Sequence, residues 1–275
     1  MLRLWRDRLL VGFSSTELAL VRVSGSLRPR IITKRAVPCD PAFGAEPWQG
    51  TAAALKDATK GLTGEPLNVA VVLSNHFVRY ALVPWDEALT GAEEELAFAR
   101  HCFTKIHGER AKSWTLRVSK EPAGAPRLAS AIDGALLDAI RGCFPKSGKA
   151  RLVSVQPYLM AAFNRWHRAM PAAGAWLLLV EPERACLALL AKGRWRTVQN
   201  AKGAFVSPQE WVTLLDRERH RIDGQTPDTV LVHGLHGVKA HWPHATWKLQ
   251  GLTLPPLDGY LPLEDGRYAT ALTAG

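Results

Sequence analysis

A chain of 275 residues, 47% apolar and 22% charged, has ordinary globular composition and the length to bury a large core, as one large domain or two lobes, without disulfides or metal. Its four cysteines, Cys39, Cys102, Cys143 and Cys186, are widely spaced and form no Cys-x-x-Cys pair; this argues against a disulfide scaffold or a cysteine zinc site and reads as reduced thiols of a cytosolic protein. The formal net charge of +10 admits nucleic acid, anionic lipid or acidic protein as partners, but the cationic clusters at 3–8, 146–151, 165–168, 192–196 and 217–221 are dispersed and no nucleic-acid module is visible, so no nucleic-acid partner is expected.

The start, MLRLWRDRLL, is basic but interrupted by Asp7 and lacks the apolar centre of a signal peptide. Three strands are expected at 8–13, 17–23 and 30–36, separated by the turns GFSS and SGSLRP. The stretch 48–62 reads as a helix that Gly61 would end. LNVAVVL at 67–73 reads as a buried strand, and FVRYALV at 77–83 as another, closed by Pro84. A helix is expected from about Thr90 to His107, opened by a Thr90–Glu93 capping box with Glu93, Glu94 and Glu95 on its positive end. The stretches 114–120 and 127–133 read as a strand pair, 133–143 as a helix, 151–157 as a strand and 158–170 as a helix ended by Pro171.

A second series begins after PAAG. Strands are expected at 175–180, 185–190 and 194–199, joined by EPER and KG as a meander. AWLLLV at 175–180 is the longest strongly apolar stretch and is too short to span a bilayer, so the chain is expected to be soluble and to reach a membrane only through a partner or surface charge. A helix follows with Ser207 as N-cap, Pro208 at its first position and Gly224 beyond its end. DTVLVHG at 228–234 reads as a strand ending in a glycine turn. The remainder is proline-rich and closes on RYATALTAG, a short terminal helix. A three-strand meander followed by alternating helices and strands thus occurs twice, which predicts an α/β protein with a mixed sheet in each of two lobes, 1–170 and 171–275.

The chemistry-bearing residues are sparse. The first turn, Gly12, Phe13, Ser14, Ser15 and Thr16, has the small-residue character of a phosphate-binding turn but no carboxylate at the turn for a metal; Glu17 comes after the hydroxyls. Ser14, Ser15 and Thr16 have no His/Asp arrangement to activate them, and GFSST is not a Gly-x-Ser-x-Gly elbow. CFPKSGKA at 143–150 imitates a Walker A loop, but Gly142 and Gly148 are one residue too far apart and Ala150 replaces the metal-binding hydroxyl. Asp86, Glu87 and Glu93 to Glu95 read as a helix cap and solvated face. His220, His233, His236, His241 and His244 gather late without neighbouring thiols or carboxylates, which favours surface and loop histidines over a metal site. Of ten tryptophans, Trp5, Trp85, Trp114, Trp176, Trp195 and Trp211 lie on or beside expected elements and read mainly as core. Trp166 and Trp195, each flanked by arginine, are the candidate partner contacts.

These residues resemble the actin-like (RNase H-like, ASKHA) superfamily of sugar kinases, Hsp70 and actin, and within it the pilus and secretion members of the PilM, MshI and GspL group. The resemblance rests on Gly12 to Thr16 followed by LALV (18–21), on SNHFVRYALVPW (74–85), on VSVQPYLMAAFNRW (153–166) and on the terminal RYATALTAG; SNHFVRYALVPW carries most of it. In that superfamily each lobe opens with a meander whose turn holds a phosphate, and a later second-lobe turn holds the adenosine. Against that pattern the family aspartate is Gly12 and the family glycine is Ser14. At the second turn Glu181 keeps a carboxylate, but Glu183 stands in place of glycine and brings negative charge and bulk against an anion. At the adenosine turn Gly234 is present and Leu235 replaces its companion.

The resemblance implies a non-catalytic, two-lobed cytoplasmic scaffold, a pseudo-ATPase with no cofactor and no metal, in the assembly platform of a type IV or MSHA-type pilus or a type II secretion system. It implies docking of a PilN-like inner-membrane protein's tail or the assembly ATPase, with indirect membrane association. The alternative is an actin-like ATPase or small-molecule kinase that binds ATP between its lobes through Glu181 and the Ser14/Ser15 turn.

Overall fold

A computed structural model describes residues 6–60, 62, 66–145, 147–234 and 241–275. Trp5, Gly61, Lys146, Leu235 and His236 of the sequence reading lie outside these residues, as do the side chains of His241 and Trp242.

The first meander forms as expected. Strands β1 (Asp7–Phe13), β2 (Glu17–Val23) and β3 (Ile31–Pro38) pair antiparallel in succession. Helix α1 (Gln49–Lys60) leads to β4 (Leu67–Leu73), which pairs parallel with β1 and, on its other side, with β8 (Ala150–Pro157). The result is a mixed sheet of order β3-β2-β1-β4-β8. Because β1 and β4 are central and covered on both faces, they are apolar almost throughout, as a parallel core requires. On one face Leu10, Ala19, Val21, Val23 and Ala70 pack with Ala271 and Leu272 of the terminal helix α6 (Ala269–Leu272).

Between β4 and β8 the chain builds a separate sheet, in which the expected pair 114–120 and 127–133 forms and gains a third strand. β5 (Val78–Val83), β6 (Trp114–Val118) and β7 (Arg127–Asp133) form their own antiparallel sheet of order β5-β7-β6. Helix α2 (Ala92–His107) covers it through Ala99 and Phe103, and Glu95 of α2 pairs with Arg127 of β7 at 2.6 Å. The cap of α2 is one residue later than the Thr90–Glu93 box expected. Gly91 is the N-cap, and the Glu94 carboxylate accepts the N–H groups of Thr90 and Gly91 at 2.8 and 3.3 Å. Helices α3 (Gly134–Gly142) and α4 (Tyr158–Trp166) flank β8 in sequence; Leu136, Leu137 and Ile140 are the buried side of α3.

The second meander, β9 (Ala175–Glu181), β10 (Arg184–Ala191) and β11 (Arg194–Lys202), repeats the first in pairing. Helix α5 (Pro208–Arg219) has Ser207 as N-cap and Pro208 first, as expected, and the Glu210 carboxylate accepts the Ser207 N–H at 2.8 Å. Strand β12 (Thr229–His233) joins β9 in parallel, and two short strands hidden in the proline-rich stretch, β13 (His241–Trp242) and β14 (Lys248–Gly251), complete the order β11-β10-β9-β12-β14-β13. The core here is built on three buried indoles, each with its N–H satisfied. Trp176 donates to Pro227 O at 3.1 Å, Trp211 to Phe205 O at 2.9 Å and Trp247 to Asp216 Oδ1 at 2.8 Å.

The fold is thus α/β, with two mixed sheets that each open on a meander. The chain divides into two compact units, Met1–Phe77 with Gly134–Arg165 and Thr253–Gly275, and Val78–Asp133 with Trp166–Leu252. Compared with a single cut after residue 170, the β5-β7-β6 layer groups with the second meander. The terminal segment returns to the first sheet, where α6 packs on β1 and β2.

Candidate functional site

The two meander turns and the turn after β12 are the places where the resemblance puts nucleotide chemistry. At the first, Gly12 is the last residue but one of β1, paired with Ala19. A Cβ at Gly12 would lie 3.2 Å from Ala271 N and 3.4 Å from Ala271 Cβ. The place of the family carboxylate therefore faces helix α6, and the glycine is what lets that helix approach. Ser14 closes the hairpin on itself. Its N–H and its hydroxyl both donate to Glu17 O, at 3.1 and 2.8 Å, and its Oγ accepts the Glu17 N–H at 3.0 Å. Two backbone donors that a phosphate cradle would need are thereby turned inward. Thr51 of α1, fully buried, donates its hydroxyl to Ser14 O at 2.7 Å and fixes the turn from below. Ser15 is buried.

The carboxylate nearest the turn is also occupied. Glu17 pairs with Arg267 of the terminal segment, and this bond and charge hold the Arg267 guanidinium above its usual range. The same segment makes a second clamp, in which Lys34 of β3 pairs with the buried Asp265 at 2.6 Å. Burial alone would raise the Asp265 carboxyl, but the Leu261 N–H and the Lys34 ammonium outweigh it and hold the group below its usual range.

At the second turn Arg184 pairs with Glu181 across the sheet, leaving a two-residue connection, Pro182 and Glu183. Glu183 has φ 57°, the left-handed region, and its side chain is exposed. Proline followed by a residue of positive φ is the pattern of a type II turn, in which the second position favours glycine. The backbone thus keeps the glycine conformation at the place where the family glycine was expected, while the residue does not. Glu181 is buried, and its charge acts on the neighbouring Arg184 guanidinium. Burial lowers Arg184 below the usual guanidinium range while Glu181 works against that shift. Arg184 Nη1 donates to Asn200 Oδ1 at 3.3 Å, and Asn200 Nδ2 to Val78 O at 3.1 Å, joining β10, β11 and β5.

After β12, Gly234 has φ 111°. His233 before it is buried and its ring packs against Trp166 with centroids 4.5 Å apart. Leu235, the other half of the expected adenosine turn, lies outside the described residues. Trp166 and Trp195, the candidate partner contacts, are interior residues at 7% and 3% exposure. Arginine neighbours in sequence made them resemble interface residues, yet both indoles point into the second unit's packing. Trp85, at 37%, is the large aromatic of the SNHFVRYALVPW stretch that reaches solvent.

The remaining candidates do not converge. Among the described residues no group of three His, Cys, Asp or Glu gathers where a metal could sit. His220 Nδ1 lies 2.6 Å from Asp216 O, and His244 Nδ1 accepts the N–H groups of Thr246 and Trp247, both at 3.2 Å. The four cysteines are free thiols, each pushed above its usual range chiefly by burial, which disfavours the thiolate that nucleophilic chemistry uses. The terminal residues that shut the first turn were missed in sequence; an isolated glycine inside an apolar strand was their one signal.

Neither turn, taken by itself, is a phosphate cradle: the first has a glycine packed on α6 where the resemblance puts a carboxylate and is closed by its own serine, and the second carries an exposed glutamate in the glycine conformation.

No protein-family model matches the chain, and no curated protein matches it in sequence. Solved structures match it in fold. A protein with actin-like ATPase fold and unknown function from Bacteroides thetaiotaomicron aligns at 10% identity over 84% of this chain and 83% of its own, with TM-score 0.54. The chain therefore has the actin-like ATPase fold. Two further structures with this fold are from the group its motifs resemble. The PilM–PilN type IV pilus biogenesis complex aligns at 16% identity over 82% of this chain and 80% of that chain, TM-score 0.55. The cytoplasmic domain of EpsL, an inner-membrane component of the type II secretion system of Vibrio cholerae, aligns at 13% identity over 98% of this chain and 96% of that domain, TM-score 0.58.

Proposed function

We propose that the chain is a non-catalytic, actin-like scaffold at the cytoplasmic face of an inner membrane. In this reading it serves in the assembly platform of a type IV or MSHA-type pilus or a type II secretion machine. The observation that carries the reading is the pair of altered turns: Gly12 against α6, and Glu183 in a glycine conformation. Loss of the phosphate chemistry in an otherwise intact fold leaves surfaces, rather than catalysis, as the useful product of the sequence. The likeness of fold to PilM, solved with PilN, and to cytoplasmic EpsL supports the choice of machine. Among the described residues no helix is long and apolar enough to cross a membrane. In this reading recruitment runs through a membrane partner's tail, or through the assembly ATPase, with the net charge of +10 favouring the anionic leaflet. The test is isothermal titration of the purified chain with the cytoplasmic tail of a PilN-like protein from the same genome. Saturable binding is expected; absence of binding to the tail and to the assembly ATPase would overturn the reading.

A further inference from the structure

Cations that are scattered along the sequence are gathered by the first sheet at one of its ends. Register places Ile31, Val23, Arg8, Asn68 and Arg151 in one row across β3, β2, β1, β4 and β8. Beyond that row lie the β2–β3 loop, the residue before β1 and the residue before β8, where Lys149 O accepts the Leu67 N–H at 3.1 Å. They bring Arg28, Arg30, Arg6 and Lys149 to the same end as Arg151, and all of these side chains are exposed. Among the described residues none of them is paired with a carboxylate.

The acidic residues of this end do not cancel that charge. Asp7 is committed to Arg22 at 2.6 Å, and its other oxygen accepts the Gly25 N–H at 3.0 Å, so it neutralises a different arginine and ties down the loop. Helices α1 and α3, whose last turns precede β4 and β8, bring Asp57 with Lys60 and Asp138 with Arg141, pairs that add no net charge. Asp258 is exposed beside Arg30, joined to it by a backbone bridge, and offsets one cation. The opposite end of the sheet has the other sign: the segment after β3 carries Asp40 and Glu46 and no cation, and Arg267 is committed to Glu17. The positive charge is therefore a property of one face rather than of the whole surface.

The β2–β3 loop adds an apolar group at the same place. Leu27, 88% exposed, stands between Ser26 and the run Arg28, Pro29, Arg30. The loop is held in shape by Ser24 N–H on Arg30 O at 2.9 Å and by the Ser26 hydroxyl on Arg28 O at 2.6 Å, so little ordering opposes binding. A lone exposed leucine is ordinary on a surface; one presented on a braced loop among cations is the arrangement of an interfacial anchor, with an apolar group for the acyl boundary and charge for the headgroups. A nucleic acid would use the charge but not the leucine, and no exposed aromatic ring stands among the described residues of this face to stack a base. We propose that this end of the first sheet is a contact surface for an anionic lipid bilayer, with Leu27 at the acyl boundary and the cations of the β2–β3 and pre-β8 segments on the headgroups. The proposal deepens the membrane-face reading by giving it a surface, and it rests on that reading only for the choice of membrane.

The test is flotation of the full chain with vesicles of equal parts phosphatidylglycerol and phosphatidylcholine, and with vesicles of phosphatidylcholine alone. Binding to the anionic vesicles only, weakening as salt is raised, is expected. Each cation near an anionic leaflet strengthens binding roughly fivefold, so Arg28→Gln with Arg30→Gln, and separately Lys149→Gln with Arg151→Gln, should each weaken it about 25-fold. Leu27→Ser should weaken it about fivefold. The control pair Lys192→Gln with Arg194→Gln, exposed in the turn between β10 and β11, lowers the net charge by the same amount and should leave binding within about twofold. An unchanged melting temperature in every variant shows that folding is intact. No binding to the anionic vesicles at low salt, equal binding to phosphatidylcholine, a loop pair without effect, a control pair as damaging as the loop pairs, or tighter binding to duplex DNA than to the vesicles would each overturn the proposal. A chain that binds vesicles but not a PilN-like tail or the assembly ATPase keeps this surface and loses the scaffold reading, and the converse result does the reverse.

Discussion

The two meander turns occupy equivalent places in their sheets and depart from a phosphate-binding turn in opposite ways. The β1–β2 turn is shut. Its serine bonds back on the hairpin, α1 holds it from below, and the terminal segment covers its glycine and pairs with its glutamate. The β9–β10 turn keeps the shape of a glycine turn and carries glutamate instead. One loss is distributed over residues some 250 positions apart in sequence; the other rests on a single side chain. The same pairing pattern thus departs from a phosphate cradle through residues distant in sequence in one sheet and through a single side chain in the other.

The largest effect is expected from restoring the missing carboxylate. Gly12→Asp puts a Cβ at 3.2 Å from Ala271 N and a charge among Leu10, Ala19 and Leu272. The expected loss is about 3 kcal/mol, read by urea unfolding, without gain of nucleotide binding. Next is the terminal clamp. Asp265→Asn removes the charge partner of Lys34 from a buried carboxylate whose lysine reaches solvent and is expected to lose about 1 kcal/mol near neutral pH. Because the folded carboxyl is held low, its contribution is present above its unfolded value of roughly 3.9 and disappears as pH falls through the lower folded value. An acid titration of stability should thus be shallower in Asp265→Asn than in the parent.

The sequence made the meanders, the α5 cap and the doubtful turns legible because each depends on neighbours in the chain: two apolar strands and a short turn, a serine followed directly by a proline. In the β5-β7-β6 layer the pairing of 114–120 with 127–133 was legible and forms as β6 with β7, but the addition of β5 to the far side of β7 was not, since register between distant strands has no local signature. The burial of Trp166 and Trp195 was equally invisible, because flanking arginines describe the backbone's neighbourhood and not the indole's. The closure of the first turn depends on Thr51, Arg267 and Ala271, none of which is near it in sequence.

Smaller effects separate the two turns further. Thr51→Val removes the hydroxyl that holds Ser14 O and should cost about 1 kcal/mol in chemical unfolding. Glu183→Gly should act in the other direction. It relieves a left-handed residue of the ordinary kind at an exposed place, and after the greater entropy of glycine in the unfolded chain a net gain of about 0.5 kcal/mol is expected in the melting curve. A destabilised Glu183→Gly would mean that the turn is shaped by its side chain and not by inheritance.

The most direct measurement is a thermal-shift titration of the full chain with ATP and Mg²⁺, run in parallel with ADP. Occupying a site at a hundred times its Kd would add about 2.7 kcal/mol of stability. The account predicts no saturable shift with either nucleotide. A saturable, magnesium-dependent shift would contradict it, because it would mean that the turns at Gly12 and Glu183 still hold phosphate.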